Sequence, residues 1–255
     1  MTEAVGPVLV SVPHAGTRVS EGSGREPAGW EALADTDWYV DRLVGFAPEL
    51  GAGLIIADYS RYVVDLNRPA DDRPLYDQAG TGLVPTETFG GDALYVAGQQ
   101  PDAQDRADRV ERYWRPYHDA LTSQLEAIRQ RYGFAVLLDA HSIASQVPRL
   151  FDGRLPDLNL GTFGGRSCAD ELQHEVTALL DETDAFSHVV NGRFKGGYIT
   201  RHYGRPEVGV HALQLEIAQA CYMNELTGQW DDAQARPLKS FLRQLLERLL
   251  AWRPS

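Results

Sequence analysis

The stretch Val8-Leu9-Val10-Ser11-Val12-Pro13-His14-Ala15-Gly16 decides the fold. A short, almost uninterrupted apolar run is what a strand buried on both faces requires. Pro13 to Gly16 then form a turn at that strand's C-terminal end, which is where open α/β sheets bind ligands. A counterpart lies downstream: Phe134 to Leu138 is a second buried-strand run, and it delivers Asp139-Ala140-His141-Ser142.

Working outward, Leu54 to Ala57, Tyr62 to Leu66 and Val208 to Ile217 read as further strands, the last carrying Gln214-Leu215-Glu216 near its end. Between them lie helical patterns. Asp35-Thr36-Asp37 before Trp38, Val40, Leu43, Val44 and Phe46 reads as a capped helix start. Val110, Tyr113, Trp114, Tyr117, Leu121, Leu125 and Ile128 recur at helical spacing and predict a long amphipathic helix over about residues 104–131. Further helices are predicted over Ser167–Leu180 and along the C-terminal face of Leu238, Phe241, Leu242, Leu245, Leu246 and Leu249. Residues 70–103, rich in Gly, Pro, Thr and Asp, form a long irregular excursion, and loops of that length are usually functional or disordered. Strands alternating with helices predict an α/β, three-layer α/β/α fold, and the absence of repeats or a linker predicts a single domain over 1–255.

Composition limits the function classes. At 255 residues, 43% of them hydrophobic, the chain is long enough for a sizeable core and too apolar for disorder. A net charge of −12 argues against a nucleic-acid partner, which needs a basic surface. An anionic ligand would need arginines concentrated locally. Cys168 and Cys221 make neither a disulfide framework nor a paired-cysteine zinc site. The N-terminus lacks a basic leader region, and no apolar stretch approaches a membrane span, so a cytoplasmic protein without a membrane partner is expected.

Two histidines just past buried strands, His14 and His141, suit a metal held on rigid supports. Catalytic zinc takes three protein ligands plus water, so a carboxylate is sought, and Asp35 or Asp37 supplies one. The bland reading makes each His a satisfied turn residue. Asp139 falls on the same strand face as His141 and could orient its ring. Glu216 ends an apolar strand, where an ionised carboxylate is costly unless it has a partner or a task; it is the candidate general base. Arg61, Arg68, Arg193, Lys195, Arg201 and Arg205 fall in two short segments, SRYVVDLNRP and NGRFKGGYITRHYGRP, and guanidinium groups grip carboxylates bidentately. For any single arginine, a solvated or ion-paired surface role is the simpler reading. His118 and His174 lie in helical patterns and His188 and His211 in strand patterns, as packing or surface residues; His202 borders the cationic segment.

With these residues assembled, the chain resembles the N-formylglutamate amidohydrolase (deformylase) family. The matching segments are SVPHAGT (11–17), DTDWYVDRL (35–43), SRYVVDLNRPADDRPLY (60–76), TGLVPTETFGG (81–91), YWRPYH (113–118), LLDAHSIAS (137–145), PRLFDGRLPDLNLGT (148–162) and NGRFKGGYITRHYG (191–204). That family is similar to the zinc carboxypeptidase and aspartoacylase group, which implies a phosphorylase/hydrolase-like fold with a mixed central sheet. The resemblance implies one divalent metal, most simply Zn2+, on His14, His141 and an acidic ligand in the DTD segment. Asp37 is our choice there, with Asp35 open. It puts Asn67 and Arg68 on a substrate carboxylate, Arg61 near the scissile carbonyl and Glu216 in the place of the glutamate base. Where the carboxypeptidases carry a glutamate ligand three residues after the first His, this chain has Thr17.

The implied activity is metal-assisted hydrolysis of N-formyl-L-glutamate to formate and L-glutamate, in histidine breakdown, with Asn67, Arg68 and Arg201 on the two carboxylates. The expected partner is a small N-acyl dicarboxylate, and the expected assembly a monomer or small homo-oligomer. Two alternatives stay open: a deacylase of another N-acyl amino acid or small amide, and a catalytically silent binding protein for acidic amino acids.

Overall fold

The computed structural model describes residues 1–19, 33–74 and 81–255. Among these residues six strands form one sheet: β1 (Val8–Val12), β2 (Gly53–Ile56), β3 (Ala135–Ile143), β4 (Leu158–Gly161), β5 (His188–Val190) and β6 (Val210–Ala218). Their order across the sheet is β2-β1-β3-β6-β4-β5. β2, β1, β3 and β6 run parallel, whereas β4 pairs antiparallel with β6, so the sheet is mixed. A two-stranded ribbon, β7 (Met223–Asn224) and β8 (Gln229–Trp230), stands apart.

The helices are α1 (Val40–Val44), α2 (Ala103–Arg109), α3 (Arg115–Tyr132), α4 (Asp170–Asp181), α5 (Tyr198–Tyr203) and α6 (Asp232–Ala251). Strand alternation sorts the core into two layers. Val8, Val10, Val12, Val136, Leu138, Leu213 and Leu215 face α1, α4 and α6. Leu9, Ala135, Leu137 and Ala212 face Tyr117, Leu121, Leu125 and Ile128 of α3, with Ile199 of α5 beside them. Helices on both faces explain why the central strands read as continuous apolar runs. β1, β3 and β6 are buried along their whole lengths. Among the described residues no helix is long and apolar enough to cross a membrane. Both cysteines are buried and free.

Several expectations are corrected. Tyr62 to Leu66 is not a strand: the segment runs in turns, and its apolar side chains are buried without sheet pairing. The Asp35-Thr36-Asp37 segment caps no helix. α1 begins only at Val40, after Tyr39 in the left-handed region at φ 61, and no side chain caps it. The long helix divides into α2 and α3 around a π turn at Val110–Trp114, closed by the Arg115 N–H donating to Val110 O. β3 extends to Ile143, so His141 lies within the strand rather than past it. β4 and α5 lie outside the sequence expectation, being short and embedded in Gly-rich segments, whereas His188 falls on a strand as expected, at the start of β5. Residues 70–102, where described, contain no helix and no named strand, as expected of that excursion; residues 75–80 lie outside the described residues.

Candidate active site

Three adjacent parallel strands converge at their C-terminal ends. In register, Ser11 of β1 stands opposite Asp139 of β3, and His141 stands opposite Glu216 of β6. His14 follows β1 directly. The topology therefore places His14, His141 and Glu216 at one edge of the sheet. A cavity opens there, lined by all three together with Arg61, Asn67, Arg68, Phe89, Ser142, Arg193, Gly197 and Gln214.

At its floor, one ligand-type atom each from His14, Asp37 and His141 lies within 4.8 Å of the others, and all three residues are buried. The two rings are 4.9 Å apart between centroids. Each imidazole is held from behind by a carboxylate: His14 Nε2 is 2.8 Å from Asp65 Oδ1, and His141 Nε2 is 2.8 Å from Asp139 Oδ2. Asp139 is itself fixed by the Ser11 hydroxyl, which donates to its Oδ1 at 2.9 Å. Carboxylates so placed keep the proton on Nε2 and turn the Nδ1 lone pairs inward.

The two inward atoms differ in their partners. Among the described residues His14 Nδ1 is buried without a hydrogen-bond partner, 3.8 Å from Asp37 Oδ2. His141 Nδ1 is 3.0 Å from the same oxygen. Two lone pairs cannot face each other at that distance, so a proton or a cation must stand between them. The electrostatics agree. Burial disfavours an imidazolium at His141, but Asp139 and Asp37 outweigh it and hold its pKa well above the usual range. Burial, seconded by the Arg61 charge, pushes His14 down. Asp65 is held well below the ordinary carboxylate range: burial alone would raise it, and the charges of His14, Arg61 and Arg68 prevail. Two nitrogens and one carboxylate oxygen, with carboxylates behind both rings, are a donor set that fits a divalent cation such as zinc.

Asp35 takes no part. Its Oδ2 accepts the Phe89 N–H at 2.8 Å, away from both histidines, whereas Asp37 Oδ2 faces His141 and accepts the Ser142 N–H at 3.1 Å. This geometry favours Asp37 as the acidic ligand. Arg61 braces the group, its guanidinium donating to Asp65 Oδ2 at 2.9 Å and to Asp37 Oδ1 at 3.4 Å, while its buried Nε–H has no partner among the described residues.

Glu216 is buried at the cavity wall, and Gln214 Nε2 donates to its Oε2 at 3.2 Å. Burial pushes its pKa up to about 7, with His141 pulling back and Asp37 adding to the rise. A carboxyl poised near neutrality can take a proton and return it within one turnover.

The family model for N-formylglutamate amidohydrolase matches residues 6–223 of the chain. The chain belongs to the N-formylglutamate amidohydrolase family. Among similar proteins, the N-formylglutamate deformylase of Pseudomonas putida is 49% identical over 249 residues, covering 96% of this chain and 93% of its own. That of Pseudomonas aeruginosa is 51% identical over 253 residues, with the same coverage. The crystal structure of N-formylglutamate amidohydrolase from Ralstonia eutropha JMP134 superposes with a TM-score of 0.83 at 27% identity, over 98% of this chain and 94% of that one. A gene product of Agrobacterium tumefaciens shares the fold, with a TM-score of 0.69 at 20% identity over 97% and 92% of the two chains.

Within this N-formylglutamate amidohydrolase family member, the arginines divide. Arg68 lines the cavity, with its Nε donating to Thr81 O at 2.9 Å. Arg201, expected on a substrate carboxylate, does not line it. The Arg201 Nε–H donates to Gly196 O at 2.8 Å, and the guanidinium lies over the Phe163 ring at 4.7 Å. Arg193 lines the cavity instead, its Nε donating to Leu150 O at 2.9 Å. Asn67 also lines it, but its amide is engaged within the protein: Oδ1 accepts the Ile199 N–H at 2.8 Å, and Nδ2 lies 3.4 Å from Asp139 Oδ2. Asp65 was missed as an orienting carboxylate. Its spacing of four residues from Arg61 is the one signal in the sequence, and the turn conformation that presents it to His14 has no local signature.

Gly197 abuts this arrangement. An added Cβ there would collide with the Asn67 side-chain amide, and the Gly197 N–H donates to Gln214 Oε1 at 2.7 Å. Gly197→Ala is therefore expected to displace Asn67 and Gln214 together. Steady-state assays should show kcat/KM lowered by about tenfold or more, the order of a 1.4 kcal/mol disturbance. Wild-type kinetics in that variant would mean that the close approach is unimportant.

Proposed function

We propose that the protein hydrolyses N-formyl-L-glutamate to formate and L-glutamate, as a step of histidine degradation, with a divalent metal ion held by His14, Asp37 and His141. One observation carries the metal-dependent part: the buried, unpartnered Nδ1 of His14 beside Asp37 and His141, with Glu216 on the wall of the same cavity. The names of the two Pseudomonas relatives, at about half identity over nearly the whole chain, support the substrate.

When bound, a divalent ion, zinc in our reading, supplies Lewis-acid polarisation of the amide oxygen and acidifies water. The chain's own residues do the rest. Glu216, ionised, accepts a proton from the attacking water as the oxygen bonds to the formyl carbon. It then returns that proton to the amide nitrogen as the C–N bond breaks, leaving formate and the free amine. Arg61 keeps Asp37 and Asp65 ionised and offers its Nε–H toward the carbonyl oxygen as charge develops. Arg68 and Arg193 take the two carboxylates of the substrate, fixing the amide against the cavity floor. Asn67 sets the wall between Asp139 and Arg68. In this assignment Arg193 replaces Arg201 as the second carboxylate-holding residue.

A formate-release assay with a panel of N-acyl amino acids tests the reading. N-formyl-L-glutamate should be turned over best, and Arg68→Ala and Arg193→Ala should each raise its KM by about tenfold or more, the order of a lost charge-assisted hydrogen bond. A preference for acyl groups on neutral amino acids, with KM unmoved in both variants, would sink the dicarboxylate assignment. Calorimetric binding of glutamate with no turnover under any metal condition would favour a silent binding protein instead.

A further inference from the structure

The chain segment Leu66-Asn67-Arg68, which lines the cavity through its last two residues, is clasped by its backbone carbonyls. His118 Nε2 is 2.9 Å from Leu66 O, and the Trp114 indole Nε1–H donates to Arg68 O at 2.9 Å. Between them, the Tyr198 N–H donates to Asn67 O at 3.4 Å. Burial pushes the His118 pKa down to about 3, so the ring is neutral and the proton on Nε2 goes to Leu66 O, while Nδ1 meets Tyr203 Oη at 2.9 Å.

The two donors are preorganised against each other. Trp114 and His118 stack with ring centroids 3.7 Å apart and planes 23° apart, and the Tyr203 ring lies nearly parallel to His118 at 8°, with centroids 5.8 Å apart. They lie four residues apart, Trp114 as the last residue of the π turn and His118 in the first turn of α3. The extra residue in that turn resets the helical phase, and such insertions cost stability unless something is gained from the new direction. What the new direction presents, on this chain, is two side-chain donors aimed at the carbonyls flanking Asn67.

We propose that Trp114 and His118 are positioning residues for substrate binding, which set the conformation of Leu66-Asn67-Arg68 and through it the placement of the Arg68 guanidinium at the cavity. The inference rests on the proposed role of Arg68. Neither ring lines the cavity, so neither is expected to touch the substrate.

The test uses the metal-loaded, full-length protein and N-formyl-L-glutamate. Trp114→Phe keeps a ring to stack on His118 and deletes only the donor. Its KM should rise by about five- to tenfold, on the scale of one hydrogen bond, with kcat within about twofold and with metal content and Tm at wild-type values. At His118, Gln can still donate to Leu66 O and Leu cannot, so His118→Gln should recover most of the KM that His118→Leu loses. An unchanged KM in Trp114→Phe, or a loss of Tm and kcat with KM unmoved, would overturn the inference and leave a packing role. Arg68→Ala separates the two levels: if it raises KM while Trp114→Phe does not, only the positioning inference falls. If Arg68→Ala leaves KM unchanged, the substrate role of Arg68 falls and the inference falls with it.

Discussion

Replacing Glu216 by Gln is expected to lower kcat by about 10²- to 10⁴-fold, the range that general acid–base catalysis supplies, while bound metal stays at its wild-type stoichiometry. The substitution keeps volume and hydrogen-bonding capacity in a buried strand position, so packing changes little. What it removes is, among the described residues, the one carboxylate of the cavity wall that is not committed to a histidine or an arginine. Asp65 holds His14, Asp139 holds His141, and Asp37 lies between both rings with Arg61 beside it. Glu216 is held only by the Gln214 amide among the contacts described, and burial brings it near neutrality. Turnover close to wild type in Glu216→Gln, measured with metal content on the same sample, would place the base elsewhere.

Chelation is expected to abolish turnover, and a divalent cation added back should restore it. The same titration has a physical readout besides activity. The floor packs Asp37, Asp65 and Asp139 around two imidazoles and one guanidinium, with the His14 Nδ1 lone pair unsatisfied. A cation bound there stabilises the folded chain in proportion to the logarithm of its concentration over Kd, about 2.7 kcal/mol at a hundredfold excess. Tm should therefore climb on metal addition in the wild type. In Asp37→Asn both the metal stoichiometry and this rise should be reduced. A fully active metal-free sample, or a Tm indifferent to divalent ions, would contradict the metal assignment.

The central strands were legible because doubly covered parallel strands must be apolar throughout, so VLVSV and FAVLL announced both themselves and the histidines that follow. Glu216 was legible for the same reason, as a charge at the end of an apolar run. The DTD segment misled as to structure, while its Asp37 does stand beside His14 and His141 in a group that could hold a metal ion. Its acidic side chain resembles a helix cap in sequence, yet Asp37 is recruited by His141 and the Ser142 N–H, partners about a hundred residues away. Tyr62 to Leu66 failed as a strand because burial alone produces apolar residues. Tyr62 and Val63 pack with Leu94 and Tyr95 rather than against a neighbouring strand. Between Arg193 and Arg201, sequence offers no basis for choice. The path of the chain through Gly196-Gly197 decides which guanidinium reaches the cavity, and that path is set by Asn67 and Gln214.

The reversal of strand direction between β6 and β4 divides labour within the cavity. The parallel strands carry His14, His141 and Glu216 at their ends, in a register that a shift in any one of them would break. Leu150, Arg193, Phe194 and Gly197 come instead from segments flanking the antiparallel β4 and its neighbour β5. In the proposed assignment Arg193 thus comes from the antiparallel side of the β4–β6 seam, whereas Arg68 follows β2 on the parallel side, with His14, His141 and Glu216. On that reading, substitutions in the flanking segments retune the grip of Arg193 on one end of the acid while the strand ends carrying His14, His141 and Glu216 stay as they are, so part of the specificity is free to evolve at a different rate from the proposed catalytic group.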